Sequence, residues 1–171
     1  FLYGLLGFID DYLSIKKGKN EGLTAVQKLF LQLIVALVFF YLYIKNGGQT
    51  SLIISTLGIH IEMKWLYGLF ILFILVGSSN AVNLTDGLDG LSSGITLIAC
   101  VSLLIIFASN GSPVISIILI TALAGGIVGF IPFNFNPAKT FMGDCGSNFL
   151  GFAISIISIL GVAKTYTVIV I

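Results

Sequence analysis

All five aspartates of this 171-residue chain stand at the edge of an apolar segment, and they fall into three clusters. Asp10 and Asp11 are adjacent, Asp86 and Asp89 lie in Asn83-Leu84-Thr85-Asp86-Gly87-Leu88-Asp89-Gly90, and Asp144 follows Phe141-Met142-Gly143. Carboxylates are expensive next to hydrocarbon and concentrate there where they do chemistry. Three clusters meeting at one membrane surface would form a basin for phosphate and a hard divalent cation, Mg²⁺ or Mn²⁺, which all-oxygen donors suit better than Zn²⁺.

Each cluster also has a plainer reading. Asp10-Asp11 after Gly7-Phe8-Ile9 can solvate a helix end, although adjacent residues point about 100° apart, so one carboxylate can face a cavity and the other the loop. Asp86-Gly87-Leu88-Asp89-Gly90 can be an ordinary turn between two spans, yet its acids at i and i+3 share a face if helical, and its glycines permit close backbone approach. Asn80 and Asn83 precede it on one helical face, able to bind sugar or phosphate oxygens or to satisfy each other. Asp144 can be a helix cap, but beside Gly143, Gly146 and Ser147 it also suits anion and metal placement. The preceding stretch adds Asn134, Asn136, Pro137, Lys139 and Phe141, a ring that could stack on a base. His60 is the single histidine and reads as a surface residue. Gly125, Gly126 and Gly129 read as a close helix contact.

These residues need elements to carry them, and composition says which. Apolar residues make up 57% and charged residues 9%, with a mean hydropathy of +1.12. Soluble domains carry roughly 25% charged residues. The expected fold is therefore an all-α polytopic membrane protein, a multi-helix transmembrane bundle in the lipid bilayer. Full spans are expected near residues 23–44, 65–83, 91–108, 113–133 and 146–162, with partial spans at 1–9 and 165–171, all in one transmembrane domain. Residues 10–22 read as a polar loop. In 45–64, Ile59, Ile61 and Met63 alternate with His60, Glu62 and Lys64 after a Leu57-Gly58 turn, which predicts a small external β-hairpin. A net charge of +1 offers no basis for nucleic-acid binding, and Cys100 and Cys145 read as plain thiols. The chain starts without Met and breaks off in an apolar run, so it reads as an internal piece of a longer protein, expected to be inactive alone.

Counting crossings puts all three acid clusters on one side. Lys16, Lys17, Lys19, Lys28 and Lys139 fall on that side and Lys45, Lys64 and Lys164 on the other, which makes the acid side cytoplasmic.

Together the segments resemble the polyprenyl-phosphate N-acetylhexosamine-1-phosphate transferases. The match rests on Gly7-Phe8-Ile9-Asp10-Asp11-Tyr12, on Ser79-Asn80-Ala81-Val82-Asn83-Leu84-Thr85-Asp86-Gly87-Leu88-Asp89-Gly90-Leu91, and on Asn136-Pro137-Ala138-Lys139 with Phe141-Met142-Gly143-Asp144. Lys16 to Lys28 looks most like the branch that takes UDP-MurNAc-pentapeptide and undecaprenyl phosphate; the branch using UDP-N-acetylglucosamine is the alternative. The resemblance implies Mg²⁺-dependent phosphoryl transfer in peptidoglycan synthesis, at the cytoplasmic face of a bacterial plasma membrane, and is compatible with a homodimer. It implies catalytic roles for Asp10, Asp11 and Asp144, with Asp144 also the metal ligand. Substrate binding would fall to Lys28, Asn80, Asn83, Asp86, Gly87, Leu88, Asp89, Asn134 and Phe141. It also implies a His-rich cytoplasmic motif beyond Ile171 and earlier spans before Phe1. Cys145 departs from the family's usual small hydroxyl residue. A cation transporter would want acids near the midplane, where the five full spans have none, and a structural subunit would leave the one-sided acids without a reason.

Overall fold

The computed structural model describes residues 1–18, 22–54 and 59–161, with the backbone alone at 52–54, 59 and 60. In chain order the elements are α1 (Leu2–Lys17), α2 (Ala25–Lys45), β1 (Ser51–Ile54), β2 (Ile59–Glu62), α3 (Leu66–Thr85), α4 (Leu91–Ser109), α5 (Val114–Asn134) and α6 (Gly143–Leu160). From α2 to α6, all five helices are long and apolar enough to cross a membrane, so this is a multi-pass membrane protein. The five full spans agree with the sequence reading to within a few residues. The expected partial span at 165–171, Lys19, Lys164 and the Leu57-Gly58 turn lie outside the described residues.

Two boundaries differ. Helix α1 runs two turns beyond Ile9, through most of the segment read as loop, and ends where Gly18 takes a left-handed φ of 61°. Polarity ended the span in the sequence; Leu13, Lys16 and Lys17 still favour helix, and glycine is the residue that can close it. Helix α6 starts at Gly143, so Asp144 stands inside its first turn. Helix α2 opens with a reciprocal cap: Thr24 accepts from Gln27 N–H while the Gln27 side chain accepts from Thr24 N–H.

Helix α6 is the hub, lying against α1 on one side and α3 on the other. Both contacts are made by glycine. A Cβ on Gly7 would sit 2.1 Å from the Asp144 carbonyl oxygen, and one on Gly151 would sit 2.4 Å from that of Ser78. Tyr3 stacks on Phe152 at 3.9 Å, closing the α1–α6 seam. A second core joins α4, α5 and α6 through Cys100, Leu103, Phe107, Ile120, Ile127 and Ile154. The glycines of α5 do not behave as expected: a Cβ on Gly125, Gly126 or Gly129 would meet nothing within 4 Å. They face open space among the described residues, because α5 meets its neighbours through Ser116, Ile120 and Ile127 instead.

The two strands pair antiparallel, Ser51 with Glu62 and Ile54 with Ile59, as the alternation predicts. The hairpin joins the end of α2 to the start of α3. Lys28 and Asn83 occupy the opposite ends of those helices, about 25 Å away by helical rise.

Candidate active site

Six chain segments come together at that opposite end: the second half of α1, residues 22–24, the start of α2, the α3–α4 turn, the α5–α6 loop and the first turn of α6. The convergence centres on one ammonium group. Lys28 Nζ lies 3.3 Å from Asp10 Oδ2 and 3.2 Å from Asn83 Oδ1, and it also holds Asp144 Oδ2. Asn83 Nδ2 donates to Asp144 Oδ1 at 2.7 Å and to Ser147 Oγ at 2.9 Å. Thus Asp144 is gripped at both oxygens, by a cation and by an amide. The Lys28 side chain is only 14% exposed, so the ion pair is partly shielded and stronger than a surface pair.

Asp10 is buried, and its Oδ1 accepts from Leu23 N–H. Gly22 is required there, since a Cβ would stand 2.1 Å from that oxygen. Burial pushes the Asp10 carboxyl above its ordinary range, and Asp144 beside it adds to the rise, against Leu23 N–H and Lys28. Asp11 faces elsewhere, as the 100° offset requires. Its two oxygens accept from Asp144 N–H at 3.3 Å and Cys145 N–H at 3.1 Å, so it caps α6 from a neighbouring helix. This is the cap that lets α6 begin before Asp144.

Asp86 follows the end of α3. Partial burial raises its pKa to about 6; the Gly143 N–H pulls it down, while the charges of Asp144 and Asp11 push it further up. Like-charge effects of that kind need proximity, which ties the second cluster to the other two. Asp89 turns away: its Oδ2 accepts from Asn136 Nδ2 and Ala138 N–H, both at 3.0 Å, which pins the α5–α6 loop. Asn134 is buried, accepts from Ser93 Oγ at 2.7 Å and donates to the Thr140 carbonyl at 3.1 Å, bracing the same loop. That loop contains a cis Asn136–Pro137 bond. Gly87 and Leu88 are exposed at the turn. Phe141 is 68% exposed and borders an apolar groove between α5 and α6. Asn80 points one turn deeper, donating to Gln32 Oε1 at 2.7 Å.

An open basin of about 550 Å³ lies over these groups, lined by Asp10, Asp11, Ser14, Lys17, Gly22, Leu23, Thr24 and Asp144. Ser14 and Lys17 share a helical face with Asp10 at i+4 and i+7, a signal the sequence carried but the loop reading concealed. Lys17 Nζ also donates to the Gly22 carbonyl at 3.1 Å. Ser147, named in the sequence beside Asp144, takes up one Asn83 hydrogen, a partner no local pattern announced. Cys100 and Cys145 are free thiols. Among the described residues no ready-made group of three or more His, Cys, Asp or Glu side chains encloses a metal ion. Mg²⁺ does not need one: it commonly takes one or two carboxylates and fills its remaining positions with water and substrate phosphate oxygens. Asp144 and Asp10, both turned to one point and both oxygen donors, fit that pattern.

Fold and site define a multi-pass membrane protein with a lysine-bridged carboxylate centre at one end of its helix bundle. The chain belongs to glycosyl transferase family 4, whose family model matches residues 1–162. It is 48% identical over 160 residues to the phospho-N-acetylmuramoyl-pentapeptide-transferase of Bacillus cytotoxicus. Relatives with the same name in Oceanobacillus iheyensis and Geobacillus thermodenitrificans are 46% and 44% identical over 162 and 158 residues. Each alignment covers 92–94% of this chain and 48–49% of the relative, so the chain spans about half the length of the curated relatives it matches.

Proposed function

We propose that the protein carrying this chain transfers phospho-MurNAc-pentapeptide from UDP-MurNAc-pentapeptide to undecaprenyl phosphate, giving lipid I and UMP, at the cytoplasmic face of a bacterial plasma membrane. The observation that carries this reading is the Lys28 centre, where Asp10, Asn83 and Asp144 from three different sequence motifs meet on one ammonium. Kinship with the named transferases supplies the substrates, and the lysine bias between the two ends supplies the orientation.

The chemistry follows from charge. An oxygen of the lipid phosphate attacks the sugar-side phosphorus of the pyrophosphate; a new P–O bond forms as the bond to the UMP oxygen breaks, and UMP leaves with that electron pair. Two anions must approach, so the site has to neutralise and orient more than it has to react. Mg²⁺ bound through Asp144 and pyrophosphate oxygens would supply charge neutralisation and leaving-group stabilisation. Asp10 takes up any proton on the lipid phosphate and aligns it, a role its raised pKa suits. Lys28, once drawn off its carboxylates by phosphate, holds a substrate oxygen. Asn83 and Asp86 border the nucleotide side with Gly87, Leu88 and Phe141. Asp11, Asp89 and Asn134 act by holding α6 and the α5–α6 loop in place, and Asn80 by bracing Gln32.

The test is Mg²⁺-dependent exchange of labelled UMP into UDP-MurNAc-pentapeptide by the complete protein in membranes. Strong preference over UDP-N-acetylglucosamine is expected, because a site built for the lactyl-peptide leaves polar groups unpaired without it, at a loss of several powers of ten in kcat/KM. Equal use of UDP-N-acetylglucosamine would transfer the assignment to the other branch of the family. Absence of exchange with either sugar nucleotide would overturn the reaction itself.

A further inference from the structure

The three helices that supply Lys28, Asn83 and Asp144 meet again one helical turn deeper. Gln32 follows Lys28 by four residues on α2, Ser79 precedes Asn83 by four on α3, and Asn148 follows Asp144 by four on α6. On a helix that spacing stacks side chains on one face. Gln32 Nε2 and Ser79 Oγ both donate to Asn148 Oδ1 at 2.9 Å, and Asn148 Nδ2 donates to the Asp144 backbone oxygen at 2.7 Å. Gln32 Oε1 is occupied by Asn80 Nδ2, and the Gln32 backbone oxygen by Tyr3 OH at 2.8 Å. Gln32 and Asn148 are each 1% exposed and Ser79 is fully buried. A charged layer that meets the basin through Asp144 therefore rests on a neutral, buried layer made by the same three helices.

The two layers differ in what can disturb them. Phosphate entering the basin competes directly for Lys28, and any cation competes for Asp144, so the outer contacts are those that turnover must break. No ligand reaches the inner ones. An apolar side chain at 148 would fill the seam without needing hydrogen-bond partners, whereas an amide there is tolerated only with its partners in place. What the amide adds is register: a slide or rotation of α6 by one residue would unmake its bonds to both α2 and α3, and buried polar groups serve best in that role. Gly151, with its backbone contact to Ser78 and Ser79, brings the helices close enough for these short side chains to meet.

We propose that Gln32, Ser79 and Asn148 form a positioning layer that keeps Lys28, Asn83 and Asp144 in register while the outer groups exchange partners; the purpose of that register rests on the transfer reading above. None of the three touches substrate. They act through the helices that carry the groups above them.

A disulfide between α3 and α6 reads register without using activity. Asn83 and Ser147 touch through their side chains, so Asn83→Cys with Ser147→Cys, in a Cys100→Ala, Cys145→Ser background of the complete protein, should oxidise readily. Adding Gln32→Leu and Asn148→Leu is expected to slow that oxidation by about fivefold or more, because disulfide formation is sensitive to small displacements. The exchange pair Gln32→Asn with Asn148→Gln, which keeps two facing amides, should restore much of the rate. Ile154→Ala, a core truncation lower on α6, should leave the rate unchanged. With native residues at 83 and 147, Asn148→Leu should lower kcat by about tenfold or more while KM for the sugar nucleotide stays nearly constant, as expected for misplaced groups. An unchanged oxidation rate in the double leucine variant would overturn the positioning layer. If oxidation slows but the parent protein transfers no sugar phosphate, the layer stands and the transfer reading falls. Should the leucine variants fail to accumulate in membranes, Gln32→Asn alone, which shortens one amide by a methylene, provides the same comparison; full oxidation rate and full kcat in it would count against the proposal.

Discussion

Helices α5 and α6 look alike as sequences: both are apolar, both long enough to span, and each carries three glycines. In the structure they are opposites. The glycines of α5 face open space, while on α6 Gly143 takes a φ of 65° against Asp11, Gly146 lies under Met142 and Gly151 receives the α3 backbone. Helix α6 also buries Ser147, Asn148, Ser155 and Ser158, whereas α5 buries Ser116 and Asn134 near its two ends. The difference is polar. In hydrocarbon, apolar faces gain nothing from meeting each other rather than lipid, so helices associate where small residues allow close approach and polar groups find partners. Helix α6 has both features on one face, and that face holds the candidate site.

The sharpest way to break this comparison is at Asp144, which α6 presents and α5 has no equivalent for. Asp144→Asn keeps the shape and the Asn83 contact but removes the charge that Lys28 and any cation would meet. The complete protein should lose about three orders of magnitude or more in UMP release, the scale seen when charge-stabilising groups are removed, with its thermal stability nearly intact. Near-normal turnover of this variant at low Mg²⁺ would take Asp144 out of the proposed metal site.

The glycines give the next effect. Gly151→Leu drives a side chain into the Ser78–Ser79 backbone and should destabilise on the order of 3 kcal/mol, enough to lower the yield of folded protein. Gly126→Ala on α5 meets no neighbour and should alter stability by less than about 1 kcal/mol, in the stabilising direction that helix propensity dictates. Thermal unfolding in detergent measures both, and equal losses at the two positions would erase the contrast between the helices.

How far the sequence could be read follows the same division. The five spans were legible because hydropathy depends on composition alone, and the hairpin because period-two alternation survives in a segment as short as Ile59–Glu62. The meeting of Asp10, Asn83 and Asp144 could be anticipated from crossing parity and from the family resemblance. Asp11 was different. Its partners, the amides of Asp144 and Cys145, come from a helix that begins more than a hundred residues later, and no local pattern announces a cap supplied from elsewhere. The same blindness affected glycine: Gly7 and Gly151 resemble Gly126 and Gly129 until a neighbouring backbone is placed beside them. The Gln32–Asn148 pair left a trace, as isolated amides one turn below charged residues in apolar helices, but its meaning needed three helices at once.

The cap provides a smaller test of the role of α1. Asp11→Ala removes both acceptors at the start of α6 and should cost about 1 kcal/mol, the usual value of a helix cap; Asp11→Asn, which retains one good acceptor, should cost less. Thermal unfolding at matched salt distinguishes them. If both variants lose turnover completely while retaining stability, Asp11 belongs to the chemistry and not to the framework of α6.

The smallest effect concerns Asp86, whose charge is opposed by its site with no lysine among the described residues answering it. Its pKa is raised to about 6 in the folded protein from 3.8, first by burial, then by Asp144 and Asp11, with the Gly143 N–H as a partial offset. A carboxyl raised in this way binds its proton more tightly folded than unfolded. Below pH 4 both states are protonated and the preference is fully expressed; as pH rises from about 4 to 6 the unfolded chain gives up its proton first, and stability falls with pH across that window. Asp86→Asn has no proton to lose and should flatten this part of the curve, gaining on the parent protein toward pH 7. Because Asp86 is only half-buried, solvent screening keeps the gain below the losses predicted for Gly151→Leu. The measurement is the unfolding midpoint of the two proteins from pH 4 to 7, and parallel curves would mean that Asp144 and Asp11 do not press on Asp86, separating the second acid cluster from the other two.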